Sequence, residues 1–308
     1  MSVLFGVVAP VFALIFMGAL AIRYRLIEPA AVRGMTAFVF YTALPGLLFA
    51  SIAQAPPLLL ADVAVSFLAG AVSLFGVALL LARWLLGARL AGAALFGLNC
   101  VYGNTVMLGI PIVDAAYGRE GVACLLAVIA FHSSVLLPLA MLCVEAGSGQ
   151  RRGLLLVLGA ALGGVLRNPV VVSILLAFAW RATGLAMPAP LHRFLALIGG
   201  AGPPLALFCL GATLPRPAGW AGLREVSLAA LVKLVAMPAL VALIAYLAGV
   251  RGLAFSVVVL ASGLPTGANA FLLARRFGTM MEVSASTVVV STALSVLTLT
   301  LLLGWLPR

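Results

Sequence analysis

The sequence predicts an all-α membrane protein of ten transmembrane helices, arranged as two five-helix halves of opposite orientation, with the fourth and ninth helices broken. Three observations predict it. Hydrophobic residues make up 65% of the 308 and charged residues 8%, with a mean hydropathy of +1.29, outside the range of soluble globular domains. Apolar runs of about twenty residues, the length that crosses a hydrocarbon core, recur along the chain. Two of these runs are interrupted by glycine, proline and asparagine at corresponding places half a chain apart.

The spans are read near 3–22, 34–53, 59–82, 92–117, 121–144, 168–186, 194–214, 226–248, 252–274 and 283–306. The first has no basic residue before it and Arg23-Tyr24-Arg25 after it, the reverse of a signal peptide's charge order, so it reads as a retained helix. The second carries Pro45 and the seventh Pro203-Pro204, which bend helices around the broken pair. Residues 153–166 are apolar, but about fourteen residues make only about 21 Å of helix, so they read as an interfacial or re-entrant approach to the sixth span. The tenth repeats Ser284, Thr287, Ser291, Ser295 and Thr298 at steps of three or four along one face, which either packs closely on the ninth span or wets a cavity.

A net charge of +11 would suggest a nucleic-acid partner in a soluble chain, but here the basic residues fall in short connectors and set orientation in lipid. Odd-to-even connectors carry twelve arginines (Arg23, Arg25, Arg33, Arg83, Arg89, Arg151, Arg152, Arg167, Arg216, Arg224, Arg275 and Arg276). The opposite connectors and the C-terminus carry five: Arg119, Arg181, Arg193, Arg251 and Arg308. This bias puts both termini outside, in the periplasm of a bacterial inner membrane, which an arginine-heavy, lysine-poor, Ala/Leu/Gly-rich composition suits. The cysteines Cys100, Cys124, Cys143 and Cys209 lie in or at the ends of apolar runs at no metal-ligand spacing and read as small core residues, so no metal site is expected.

The two breaks carry the chemistry. In "VYGNTVMLGIPIVDAAYG" (101–118) and "LASGLPTGANAFLLARRFG" (260–278), Pro111 and Pro265 are 154 residues apart. A break exposes backbone groups that lipid cannot satisfy, and symmetric breaks are the sequence pointer to an inverted-repeat transporter. Five spans per half is odd, so the halves have opposite topology: 1–145 is the first repeat, 146–167 a connector and 168–308 the second. Placing each proline in the first turn of a half-helix, with Gly103 to Ile110 holding the unwound stretch, leaves uncapped N–H donors after Ile110 and Leu264 that suit an anion. The candidate substrate-binding set is therefore Asn104, Gly109, Ile110, Pro111, Leu264, Pro265, Thr266 and Asn269. Each asparagine can instead satisfy the freed backbone at its own break.

Three further residues are coupling candidates. Asp114, three residues after Pro111, either complements the helix dipole or carries a proton or cation. Lys233, the only lysine, lies inside the eighth span, where it faces a partner or snorkels to the edge marked by Arg224 and Glu225. His132, in "FHSSVLLP", either titrates or is a hydrogen-bonded packing residue.

"GNTVMLGIPIVDAAYG" resembles the fourth-span motif of the auxin efflux carrier family, which includes plant PIN proteins and bacterial malonate and malate permease-like carriers. "GLPTGANAFLLARRFG" resembles its ninth-span motif, "RGMTAFVFYTALPGLLF" its second span and "LVKLVAMP" its eighth. The resemblance covers nearly the whole chain. It implies a fold similar to sodium/proton antiporters and bile-acid symporters, with crossed broken helices and with scaffold and transport domains interleaved across both repeats. It also implies a small organic anion as cargo, commonly a mono- or dicarboxylate, an elevator-like motion, and room for a homodimer. The long cytoplasmic loop of the larger plant carriers is missing, since 145–167 is all that lies between the halves.

The expectation is thus a secondary carrier without a bound cofactor, with proton or sodium coupling open and membrane lipid as its surroundings. A sodium-coupled symporter of the bile-acid type is the near alternative. Yet Glu28, Asp62, Glu120, Glu145, Glu225 and Glu282 lie at span edges, which argues against a sodium site made of carboxylates. A non-transporting scaffold or receptor has less use for two symmetric breaks. An intramembrane enzyme is disfavoured because no H-E-x-x-H, G-x-S-x-G or phosphate-loop motif is present.

Overall fold

The computed structural model describes residues 4–54, 60–148, 163, 168–215 and 222–307. The expectation for 153–166, save Gly163, and the charges of Arg151, Arg152, Arg167, Arg216 and Arg308 lie outside the described residues. The described residues are helical and contain no strand beyond one isolated bridge, between Gly103 and Thr266. Large apolar side chains such as Phe16, Leu197, Leu243 and Leu301 are exposed along the helices, as expected where the solvent is lipid.

In chain order the helices are α1 Ala9–Arg23, α2 Pro29–Phe38, α3 Leu44–Gln54, α4 Leu60–Leu85, α5 Leu90–Val101, α6 Ile110–Ser148 and α7 Pro169–Ala182. They continue as α8 Ala189–Gly200, α9 Gly202–Thr213, α10 Leu223–Leu231, α11 Met237–Leu247, α12 Gly252–Ser262, α13 Ala268–Phe277 and α14 Met281–Trp305. Seven stretches of the described residues are long and apolar enough to cross a membrane: Gly6–Arg23, Pro29–Ala53, Ala61–Leu85, Thr105–Gly147, Ala189–Thr213, Leu223–Leu247 and Met281–Trp305. Three shorter apolar helices, Leu90–Val101, Pro169–Ala182 and Gly252–Ser262, carry parts of the spans read fourth, sixth and ninth from the sequence. The fourth and ninth are short because the breaks divide them. The fourth and fifth meet without a loop at Gly118, whose φ of 63° and ψ of −162° are non-helical, so α6 is two helices joined at a kink that suits a residue without Cβ.

Proline shapes two helices in the same way. Pro45 and Pro238 lack an N–H, and each is preceded by a π-helical turn, Val39–Ala43 and Val232–Ala236. In these turns the N–H of Leu44 reaches Val39 O and that of Met237 reaches Val232 O. The wider turn re-routes hydrogen bonds ahead of the proline and keeps the backbone satisfied in an apolar span.

By contacts the described residues divide into two units. One comprises those of 1–59, 106–126 and 163–214. Within it α1 packs on α9 and α3 packs on α7 and α8. Glycine makes these contacts close: a Cβ on Gly18 would stand 2.0 Å from Phe208 O, and one on Gly211 would stand 1.8 Å from Ile15 O. The other unit comprises the described residues of 60–105, 127–162 and 215–308. In it α4 packs on α5 and α11, and α14 packs on α10 and α13. The serine and threonine face of α14 turns inward, with Ser284, Thr287, Ser291 and Ser295 fully buried.

Two expectations about the breaks need correction. The unwound stretch within Gly103 to Ile110 is only Gly103 and Asn104, together with Tyr102 before them, because Thr105–Gly109 is a π-helical turn. The second break does not place Pro265 in a first helical turn, because α13 starts at Ala268 with Gly267 before it. Proline pushes its preceding residue away from helical angles and cannot donate a bond, so the chain stays non-helical on both sides of Pro265.

Candidate functional site

The second unit brings both breaks together. Asn104 N–H donates to Pro265 O at 2.9 Å and Gly267 N–H donates to Tyr102 O at 2.9 Å, the two bonds that flank the antiparallel Gly103–Thr266 bridge. Glycine at 267 lets the two segments approach closely, since a Cβ would stand 3.0 Å from Gly103 O and 3.0 Å from the Tyr102 ring. Each break thereby satisfies part of the other's freed backbone, which answers in physical terms how two interruptions persist in apolar surroundings.

Side chains take up the rest. His132 Nε2 accepts the Gly103 N–H at 3.1 Å, and Ser291 Oγ accepts the Thr266 N–H at 3.0 Å. Thr266 Oγ1 donates to Asn99 O at 2.8 Å, and Asn99 Nδ2 donates to Ser284 Oγ at 2.9 Å. Lys233, fully buried, donates from Nζ to the carbonyl of Ser262, the last residue of α12. That excludes the snorkelling reading of Lys233. His132 is neutral in this arrangement: an accepting Nε2 places the ring proton on Nδ1, which has no partner among the described residues. Its ring lies 4.2 Å from that of Tyr102 and 5.7 Å from that of Phe67.

One edge of this network is open. Asn269, in the first turn of α13, is exposed, and its Nδ2 donates to the Tyr102 hydroxyl at 2.8 Å. That hydroxyl also meets Ser133 Oγ at 2.7 Å. Between the Tyr102 and Ser133 hydroxyls either can donate, and with one Asn269 N–H spent on the phenol the second is left as the outward side-chain donor of this edge. The first residues of α13 add backbone donors that Gly267, having no side chain, does not cap. The chemistry of this edge is donor-rich and suits an acceptor or an anion.

The residues singled out from sequence are distributed as follows. Asn104 and Thr266 are buried at the bridge, Leu264 is buried beside it, and Pro265 supplies a bridging carbonyl. Gly109, Ile110, Pro111 and Asp114 belong to the first unit, where Ile110 is buried and Asp114 half-buried. Asp114 does not cap a helix start, since α6 continues directly from the π-helical turn before it. Sequence reasoning missed Tyr102, Ser133, Asn99 and Ser284 as partners of the breaks. For Tyr102 the available signal was its place directly before the Gly103-Asn104 pair, where an aromatic hydroxyl in an apolar run needs a partner. Among the described residues no group of three His, Cys, Asp or Glu side chains could hold a metal ion.

Comparison with known proteins points to membrane transport. A family model described as "Membrane transport protein" matches residues 3–303. A protein of Rhizobium meliloti (strain 1021), named "Putative malonate transporter", is 27% identical over 307 residues, covering 98% of this chain and 96% of the relative.

Proposed function

We propose, from the premise that this chain belongs to the membrane transport protein family, that of the auxin efflux carriers, that it is a secondary carrier for a small organic anion, a mono- or dicarboxylate. The observation that carries this reading is the donor-rich edge of the paired breaks, where the exposed Asn269 amide and the Ser133 hydroxyl flank the Tyr102 phenol. The name of the Rhizobium meliloti relative, a dicarboxylate transporter by its wording, supports the same cargo class. In this reading ten spans form a five-plus-five inverted repeat in a bacterial inner membrane with both termini periplasmic. Cargo binds by the paired breaks near Asn104, Pro265 and Asn269, and the family resemblance supports an elevator-like movement.

The test is uptake by proteoliposomes of labelled mono- and dicarboxylates, including malonate and malate, under imposed proton gradients. Saturable uptake of one acid is expected from the wild type. Asn104→Ala and Asn269→Ala are each expected to lower it while leaving membrane insertion intact, and wild-type rates in both would move the cargo away from the breaks. Tyr102→Phe removes the phenol oxygen that orients Asn269 and Ser133. Losing a hydrogen bond of about 1 kcal/mol at each, about 2 kcal/mol together, predicts a rise in the half-saturating concentration of up to about thirtyfold, with chromatographic behaviour in detergent unchanged. An unaltered uptake curve in this variant would separate the phenol from recognition.

A further inference from the structure

We propose that Lys233 is a resident cation, its ammonium filling the position at the broken end of α12 that a coupling cation would otherwise occupy, so that the carrier works without sodium. The transport consequence rests on the carrier reading above; the cation assignment itself does not.

The argument begins with the carbonyls that α12 leaves behind. Gly263 N–H serves Val259 O and Leu260 O at 3.1 Å each, and Leu264 N–H serves Ala261 O at 3.4 Å. In a continuing helix the next donors would be residue 265, which is a proline without N–H, and Thr266, whose N–H is spent on Ser291 Oγ. Ser262 O is thus left at the negative end of a helix dipole, inside the protein. Unwound carbonyls and half-helix C-terminal ends are the ligands that hold sodium in broken-helix carriers. Here the lysine ammonium takes that place.

The position is built. Lys233 lies within the π-helical turn Val232–Ala236, and it is fully buried. Its Cε would stand 3.7 Å from a Cβ placed on Gly103, so the same side chain reaches the other break. Among the described residues the ammonium's one hydrogen-bond acceptor is Ser262 O, which leaves two of its N–H groups to spare. A mobile cation beside it would be repelled by the like charge, and more strongly in this interior than in water. Of the seven acidic residues, six lie at the edges of the spans, and among the described residues no group of three His, Cys, Asp or Glu side chains could hold a metal ion. The fixed charge therefore serves two ends: it closes the backbone of the break, and it presents a positive potential where an anion approaches.

The experiment has two arms, both on the full chain. In detergent, the thermal stability of wild type, Lys233→Met and Lys233→Ala is measured in sodium, potassium, choline and methylammonium chloride at equal ionic strength. Wild type is expected to melt at one temperature in all four salts. Lys233→Ala is expected to melt lower in choline and to recover in methylammonium, which restores the missing charge into the space vacated, whereas Lys233→Met fills that space and is not rescued. A wild-type melting temperature raised by sodium over choline overturns the proposal, and so does a Lys233→Ala protein insensitive to every cation. In proteoliposomes, wild-type uptake of the transported acid is expected to be equal with and without sodium, and Lys233→Ala uptake is expected to fall by about tenfold or more, the worth of a charge-assisted hydrogen bond. Uptake by wild type that requires sodium overturns the proposal. Failure of every acid to be transported would count against the carrier reading alone, because the thermal arm reports on Lys233 without cargo.

Discussion

Gly211→Val is expected to yield no folded protein. The α1–α9 contact brings backbone against backbone: a Cβ at 211 would stand 1.8 Å from Ile15 O and 2.7 Å from Ile15 C, and one at Gly18 would stand 2.0 Å from Phe208 O. Nothing at these positions is the flexible end of a side chain, so relief requires the two helices to part along their length. Overpacking a fitted interface costs about 1–3 kcal/mol when side chains can move, and more where only backbone can. In lipid the penalty is not offset by hydrophobic association between helices, since tight packing is itself the main attraction. Valine at Gly76, where nothing lies within 4 Å, is the matched control. Size-exclusion profiles of the two variants after mild solubilisation should show a monodisperse peak for Gly76→Val and aggregate or no protein for Gly211→Val. A monodisperse Gly211→Val protein that melts with wild type would mean that α1 and α9 do not approach as described.

The glycine contacts show where the sequence was silent. Its apolar runs exposed the helices, because a span needs about twenty residues without charge and the chain offers few alternatives. The breaks at Gly103-Asn104 and Gly263 to Gly267 were legible for the opposite reason, being residue types that an apolar helix has cause to avoid. What could not be read was pairing. Asn99 meets Ser284 across 185 residues and Thr266 meets Asn99 across 167, distances over which no period carries information. Helix starts were misplaced at both prolines because a proline was taken to open a helix. At Pro111 the π-helical turn Thr105–Gly109 already supplies the start, and at Pro265 the chain is committed to the bridge and opens α13 only after Gly267. The stripe from Ser284 to Ser295 was visible as a face, yet only the structure shows that Ser291 and Ser284 spend their hydroxyls on the breaks. For Lys233 sequence left two readings, and burial against Ser262 O removes the exposed one.

Asn269→Asp is expected to reduce anion uptake far more than Asn269→Ala does, and the contrast reads the sign of the cargo's charge. The native amide is a donor toward the Tyr102 hydroxyl at 2.8 Å and keeps a second N–H toward the open edge. An aspartate there is acceptor-only. It accepts the Tyr102 hydroxyl proton where the amide donated, removes both amide donors, and adds a negative charge beside the place where a carboxylate is received. Two like charges about 5 Å apart at an effective dielectric of 20 repel by about 3 kcal/mol, roughly a hundredfold in binding. Alanine loses the donors alone, worth about tenfold. The position is exposed, so the charge can be accommodated without unfolding and surface expression should match wild type for both variants. The ordering wild type, alanine, aspartate in uptake of a labelled dicarboxylate, with the aspartate variant partly recovering for the monoprotonated acid at lower pH, is what an anion received at this edge requires. An aspartate variant that equals or exceeds the alanine variant would point to a neutral or cationic cargo, or to a receiving site elsewhere in the protein.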